Sequence, residues 1–276
     1  MSALVELIRP YFMVAKRPWV HRHLIGVMAE REFTSRYKGS VLGAAWTVLQ
    51  PLAIVVLFYY VFAVIFRAKW GGEASTGPHF IVGMFSGLLI YNVFAETVSR
   101  SVTCISGNPN YVKKIAFPIA VMPIVQLVFS LLNFTVGLVI LLAFGWAYGI
   151  VSISPAMIAL PLALVPVIAW SLGVGWLVAA LNVYFRDTFV VVPLVLQALL
   201  FLSPVFYSIE NQGPLVQQIL RLSPLTTPIT LIRDILMRGT FVPSFDLLFQ
   251  TLTALAVMVF GFLFFRKTRA GFADVI

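Results

Sequence analysis

The sequence predicts an all-α, polytopic membrane protein. It should carry six transmembrane helices, an N-terminal amphipathic interface helix, and short outer re-entrant helices before the last span. Three observations carry this expectation. Six long apolar stretches, at 41–66, 80–95, 115–146, 155–181, 189–207 and 247–265, contain no Asp, Glu, Lys or Arg. Crossing ~30 Å of hydrocarbon takes about 20 helical residues, and a lipid-embedded backbone must satisfy its own polar groups. The chain is 61% hydrophobic and 11% charged, which excludes soluble and disordered classes. Finally, 14 of the 19 Lys and Arg residues fall on one side of the six-span arrangement.

The elements follow in order. Residues 1–40 form a basic N-terminal segment holding Arg9, Lys16, Arg17, Arg22, Arg31, Arg36 and Lys38. Its short apolar pieces are interrupted by Arg9, Pro10, Lys16 and Arg17, so the first span, not a cleaved signal, is expected to insert the chain. Within it, 23–37 reads as an interfacial helix. Leu24, Val27, Met28 and Arg31 share one face, and Glu30, Glu32 and Arg36 lie elsewhere. Spans one to five occupy 41–207. The loop after the second span carries Arg100, Lys113 and Lys114, and Pro109 between Asn108 and Asn110 predicts a turn leading into a short helix. Pro118, Pro123, Pro161 and Pro166 are expected to bend the third and fourth spans. Gly83 and Gly87, and Ser171 and Gly175, are spaced for close helix packing. An ion-pair-capable Arg186-Asp187 dipeptide lies in a tight loop before the fifth span. The outer region 208–246 contains two apolar segments too short to span, punctuated by Pro214, Pro224, Pro228 and Pro243. The sixth span and a basic tail fill 247–276. All of 1–276 therefore reads as a single membrane domain, with both termini in the cytoplasm by the positive-inside rule.

No G-x-x-x-x-G-K-[ST] phosphate loop, HExxH or GxSxG occurs, so neither ATP hydrolysis nor hydrolase chemistry is expected of this chain, and no cofactor is implied within it. His21 and His23 have no neighbours that complete a metal set. The net charge of +9 reads as topology and not as nucleic-acid binding, since no soluble basic domain carries it. Cys104 is the only cysteine, so no intrachain disulfide can form. The apolar stretches lack the intramembrane carboxylates and basic groups that ion-coupled carriers place at mid-depth. Aromatic residues cluster late in the first span (Tyr59, Tyr60, Phe62, Phe66) and late in the fifth (Phe201, Phe206, Tyr207). They read either as an interfacial belt or as flat surfaces for sugar rings.

Five segments together resemble the membrane subunit of ABC-2 type exporters of O-antigen and related polysaccharides, the Wzm type. They are EREFTSRYKGSVLGAAWTVLQPL at 30–52, GNPNYVKKIAFP at 107–118, LNVYFRDT at 181–188, SPVFYS at 203–208 and the C-terminal GFADVI. The resemblance implies a homodimer in a bacterial inner membrane, seated on two copies of a separate subunit that binds ATP and Mg. The exported cargo would be a polysaccharide on undecaprenyl diphosphate. It further implies that Glu30, Asn108, Pro109, Tyr111, Lys113, Lys114, Arg186 and Asp187 meet the ATPase. An outer gate would draw on Leu225, Ile229, Ile232, Arg233 and Leu236. Arg31, Arg36 and Lys38 are the candidates to meet the diphosphate, or else anionic membrane lipid. A teichoic-acid or hydrophobic-drug exporter on the same scaffold, and an ATPase-independent flippase or channel, remain as alternatives.

Overall fold

The computed structural model describes residues 20–66, 77–113, 117–151, 154–221 and 223–276. Among them every regular element is helical. In order these are α1 (Arg22–Tyr37), α2 (Trp46–Phe58), α3 (Gly77–Thr103), α4 (Pro109–Lys113), α5 (Met122–Ala147), α6 (Leu160–Tyr184), α7 (Thr188–Leu202), α8 (Pro214–Arg221), α9 (Thr226–Arg233), α10 (Phe245–Thr268) and α11 (Phe272–Val275). A π-helical extension, Tyr59–Ile65, continues α2. Lys114, one of the residues assigned to ATPase contact, lies outside the described residues.

Among the described residues, five helical segments are long and apolar enough to cross a membrane: Gly43–Phe62, Gly77–Thr103, Ile119–Ala147, Pro155–Tyr184 and Phe245–Val275. The expected fifth span is shorter than 189–207. Its helix ends at Leu202 because Ser203, placed before Pro204, is extended (φ −102°, ψ 148°), the conformation that a following proline imposes. The prolines also act differently from the expectation. Pro118 precedes its helix, while Pro123 and Pro161 occupy first turns, where a missing N–H costs nothing. Pro166, Pro51 and Pro193 are the ones inside helices.

The second span is the post around which the rest packs. Of its most apolar window 83% is buried, against 11% for the first span. α3 therefore contacts α5 and α6 along its length, whereas α2 and α7 expose most of their apolar surface. Tyr91 of α3 donates to the Leu196 carbonyl (2.8 Å) and so ties α7 to the post. α6 and α10 form the other close pair, with backbones in contact at Gly173 and Gly261. Trp176 of α6 meets Phe262 edge-on and donates to the Ala120 carbonyl (3.0 Å).

α1 turns a different face to the body than its apolar spacing implies. Ile25 and Ala29 are buried, whereas Val27 is exposed, and the inward face continues through Glu32, Phe33 and Arg36. Hydrophobicity alone did not choose this face because the charged pair on it finds partners on α3.

Candidate functional site

The end of the fold that carries α1 and α4 is organised by two Glu-x-x-x-Arg pairs, Glu32/Arg36 on α1 and Glu96/Arg100 on α3. Spacing of four puts each pair on one helix face, and the two faces meet. Arg36 Nη1 lies 2.9 Å from Glu96 Oε1, and Arg100 Nη1 lies 2.9 Å from Glu32 Oε1. Arg100 Nε also reaches Glu96 (3.2 Å), and Asn133 of α5 donates to the other carboxylate oxygen (2.9 Å). Both guanidinium groups sit over the Phe129 ring, at 4.1 Å for Arg100 and 5.4 Å for Arg36. A single exposed ion pair contributes ~0–1 kcal/mol. Four interlocked charges with an aromatic floor fix geometry better than they fix energy. The expectation that the second apolar stretch ends at Ala95 concealed this clamp, since the helix runs on through Glu96 and Arg100 to Thr103. The repeated Glu-x-x-x-Arg pattern is the signal that could have found it.

The clamp extends to the loop after the second span. Arg31 Nη1 donates to the Tyr111 hydroxyl (2.9 Å), and Tyr111 stacks on Phe117 (4.6 Å between centroids). Asn108 Nδ2 donates to the Cys104 carbonyl (3.1 Å), and Pro109 opens α4. Val112 is buried while Lys113 is exposed, so α4 is anchored on one side and free on the other. α11 packs beside it. Glu30 and Lys38 are exposed. Arg186 and Asp187 are exposed too and do not pair with each other.

A cleft of about 340 Å³ opens above the clamp, between α2 and the α3–α5 pair. Arg36, Gln50, Thr47, Glu96 and Asn133 form its polar end, and Ile54, Phe85 and Leu89 contribute to its apolar end. The residues nominated as diphosphate contacts are thus separated. Arg31 is engaged with α4 and Arg36 with Glu96, while Lys38 remains exposed.

At the opposite end of the fold α8 lies at the surface, with Leu215, Val216 and Ile219 exposed. α9 is sunk into the subunit. Leu225, Ile229, Ile232 and Leu236 are all at most 1% exposed and Arg233 is 7% exposed, so the five residues assigned to an outer gate face inward. Arg233 Nε donates to the Gly83 carbonyl (2.7 Å) and its Nη2 to the Val205 carbonyl (2.9 Å), joining α9 to α3 and to the 203–208 segment. That segment contributes Phe206 to an aromatic cluster, stacked on Phe62 (5.7 Å), which itself stacks on Phe80 (5.6 Å). Tyr207 donates to the Phe201 carbonyl (3.1 Å). Phe62 and Phe206 are therefore packed within the chain, whereas Tyr59, Tyr60, Phe66 and Phe201 project outward.

Residues 23–237 match the ABC-2 type transporter family. The chain is 25% identical over 253 residues to the O-antigen export system permease protein RfbA of Klebsiella pneumoniae, covering 92% of this chain and 95% of that protein. It is 29% identical over 208 residues to the protein of the same name from Myxococcus xanthus, covering 75% and 74%. It is 23% identical over 241 residues to the polysialic acid transport protein KpsM of Escherichia coli, covering 86% and 90%. The chain belongs to the ABC-2 type transporter family.

Proposed function

We propose that this family member is the membrane subunit of an ATP-driven exporter that moves an undecaprenyl-diphosphate-linked polysaccharide out of the cytoplasm. The observation that carries this reading is similarity over 92% of the chain to a protein named for O-antigen export. A homodimer would bring together two copies of α2 and α7, the helices whose apolar faces are left uncovered. The glycan would pass between the copies, along outward aromatics such as Tyr59, Tyr60, Phe66 and Phe201. Two ATP-binding subunits would sit beneath, near Lys113 and the Arg186-Asp187 turn. Closure of those subunits would push α4. Tyr111 would pass the push through Arg31 to α1, and the charge clamp would pass it to α3, so the subunit would shift as a rigid body. Lys38, which remains exposed, would meet the diphosphate. α9 would act at the outer gate through the hairpin as a unit, since its gate candidates pack inward.

The test is purification of the tagged chain from membranes, with identification of what accompanies it. A stoichiometric partner bearing a phosphate loop, and a glycan lipid that stimulates its ATPase, is the expected result. A teichoic acid or a drug as the stimulating ligand would redirect the substrate. Transport by this chain alone in vesicles would overturn the ATP-driven reading. Reversing charge at α4 with Lys113→Glu should leave ATP hydrolysis running while export falls at least about tenfold, the effect of ~1.4 kcal/mol of lost coupling. Unchanged export in that variant would remove α4 from the coupling path.

A further inference from the structure

The cleft between α2 and the α3–α5 pair has the dimensions and polarity of a lipid site, independently of what the exporter carries. α3 is 27 residues long, about 40 Å, some 10 Å more than the hydrocarbon it crosses. Glu96 is the first charged residue after the apolar stretch 80–95 and so marks the headgroup boundary of this span. From Glu96 the cleft follows α3 back to Phe85, 11 residues earlier, or about 16 Å. That matches one leaflet, half of the ~30 Å core. A second, apolar cavity of about 300 Å³ lined by Leu52, Val55, Ile81, Phe85 and Leu141 shares the Phe85 wall and continues in the same direction. Leu52 and Gln50 stand exposed at the rims, so the space is reachable from the bilayer.

The polar end carries both signs of charge and has unused capacity. Glu96 accepts from Arg36, Arg100 and Asn133, which leaves one of the roughly four acceptor sites of a carboxylate. Arg36 uses two of its nitrogens, towards Glu96 and Gln50 Oε1, and the Gln50 amide nitrogen donates to no acceptor among the described residues. Thr47 Oγ1, on a residue that is 9% exposed, lines the cleft and has no hydrogen-bond partner among the described residues. A buried hydroxyl left in that state costs free energy until a ligand or water meets it.

We propose that this cleft binds one zwitterionic aminophospholipid, such as phosphatidylethanolamine, per chain. Its phosphate meets Arg36 and the Gln50 amide, its ammonium meets Glu96, and one acyl chain runs past Ile54 and Phe85 towards Ile81. An anionic headgroup lacks the cation that Glu96 calls for. A choline headgroup presents methyls where an ammonium would donate hydrogen bonds. The lipid fills the gap that leaves α2 loosely attached, and so holds the first span in register with the charge clamp.

The test is native mass spectrometry of the full chain, with any copurifying subunit, against added phosphatidylethanolamine, phosphatidylcholine and phosphatidylglycerol. The wild type should retain one phosphatidylethanolamine per chain, at least about tenfold more tightly than either other lipid. Ile54→Trp fills the apolar end without touching a charge and should weaken that binding at least about tenfold. Glu96→Gln should keep a lipid but lose the preference for ethanolamine over choline. Equal retention of the three headgroups, preference for the anionic lipid, or undiminished phosphatidylethanolamine binding in Ile54→Trp would each overturn the proposal. The tryptophan variant decides the matter should Glu96→Gln fail to fold.

Discussion

Replacing Gly173 with alanine should lower the melting temperature of the detergent-solubilised protein by roughly 6–12 °C, the equivalent of about 3 kcal/mol. A Cβ at Gly173 would stand 2.7 Å from the backbone of Val257 and Met258, and one at Gly261 would run into the Gly173 carbonyl. The obstructing atoms are main-chain atoms inside helices, which cannot rotate aside as a side-chain tip can. Either α6 and α10 move apart along their whole interface, or one helix deforms. Gly261→Ala should cost as much as Gly173→Ala. The double variant should cost less than the two together, because the first methyl has already separated the helices. Gly26, on α1, has nothing within 4 Å of its Cβ direction. Gly26→Ala should therefore be neutral or stabilise by up to ~1 kcal/mol, from helix propensity alone. A Gly173→Ala protein that melts with the wild type would mean that the α6–α10 spacing is set by something other than these glycines.

The spans were legible because a run of about 20 uncharged apolar residues has few other physical solutions. The short helices α4, α8 and α9 were legible as elements for a related reason, since proline and asparagine mark turns and each apolar segment is too short to span. Side-chain partnerships across the fold were much less so. The Gly83/Gly87 and Ser171/Gly175 spacings pointed to close packing on the right helices. At Gly87, however, the intimate neighbour is Arg233, and the backbone contact of α6 is at Gly173. Helix spacing reports which face is small but not what approaches it. Glu96 was missed for a boundary reason, being the first charged residue after an apolar stretch that looked complete at Ala95. The gate candidates came from the family resemblance, and helical spacing marked four of them, Leu225, Ile229, Ile232 and Leu236, as one face. It could not say that this face turns into the subunit, because an apolar face fits a protein core as well as a passage.

Arg233→Met is expected to destabilise the α9 end of the fold by about 3–6 kcal/mol, as the loss of two charge-assisted hydrogen bonds of ~1.5–3 kcal/mol each implies. Its guanidinium spans two backbone carbonyls on different elements, Gly83 on α3 and Val205 in the 203–208 segment. Arg233→Lys offers a point charge on a flexible stem in place of a planar fork, so it should recover one bond and not both. Gly87 supplies an independent check. A Cβ there would lie 2.7 Å from Arg233 Nη2, the nitrogen that serves Val205, with Ile229 and the Val205 backbone farther off at 3.2 and 3.3 Å. Gly87→Ala should therefore act by displacing the fork, and limited proteolysis should find the 205–233 region cut faster in both single variants. In the double variant the methyl meets a flexible methionine and no charge remains to displace. Its stability should then match Arg233→Met alone. Additive losses would instead mean that the alanine acts on Ile229 or the Val205 backbone, and that the arginine fork and the glycine beneath it are separate features of the contact between α3 and α9.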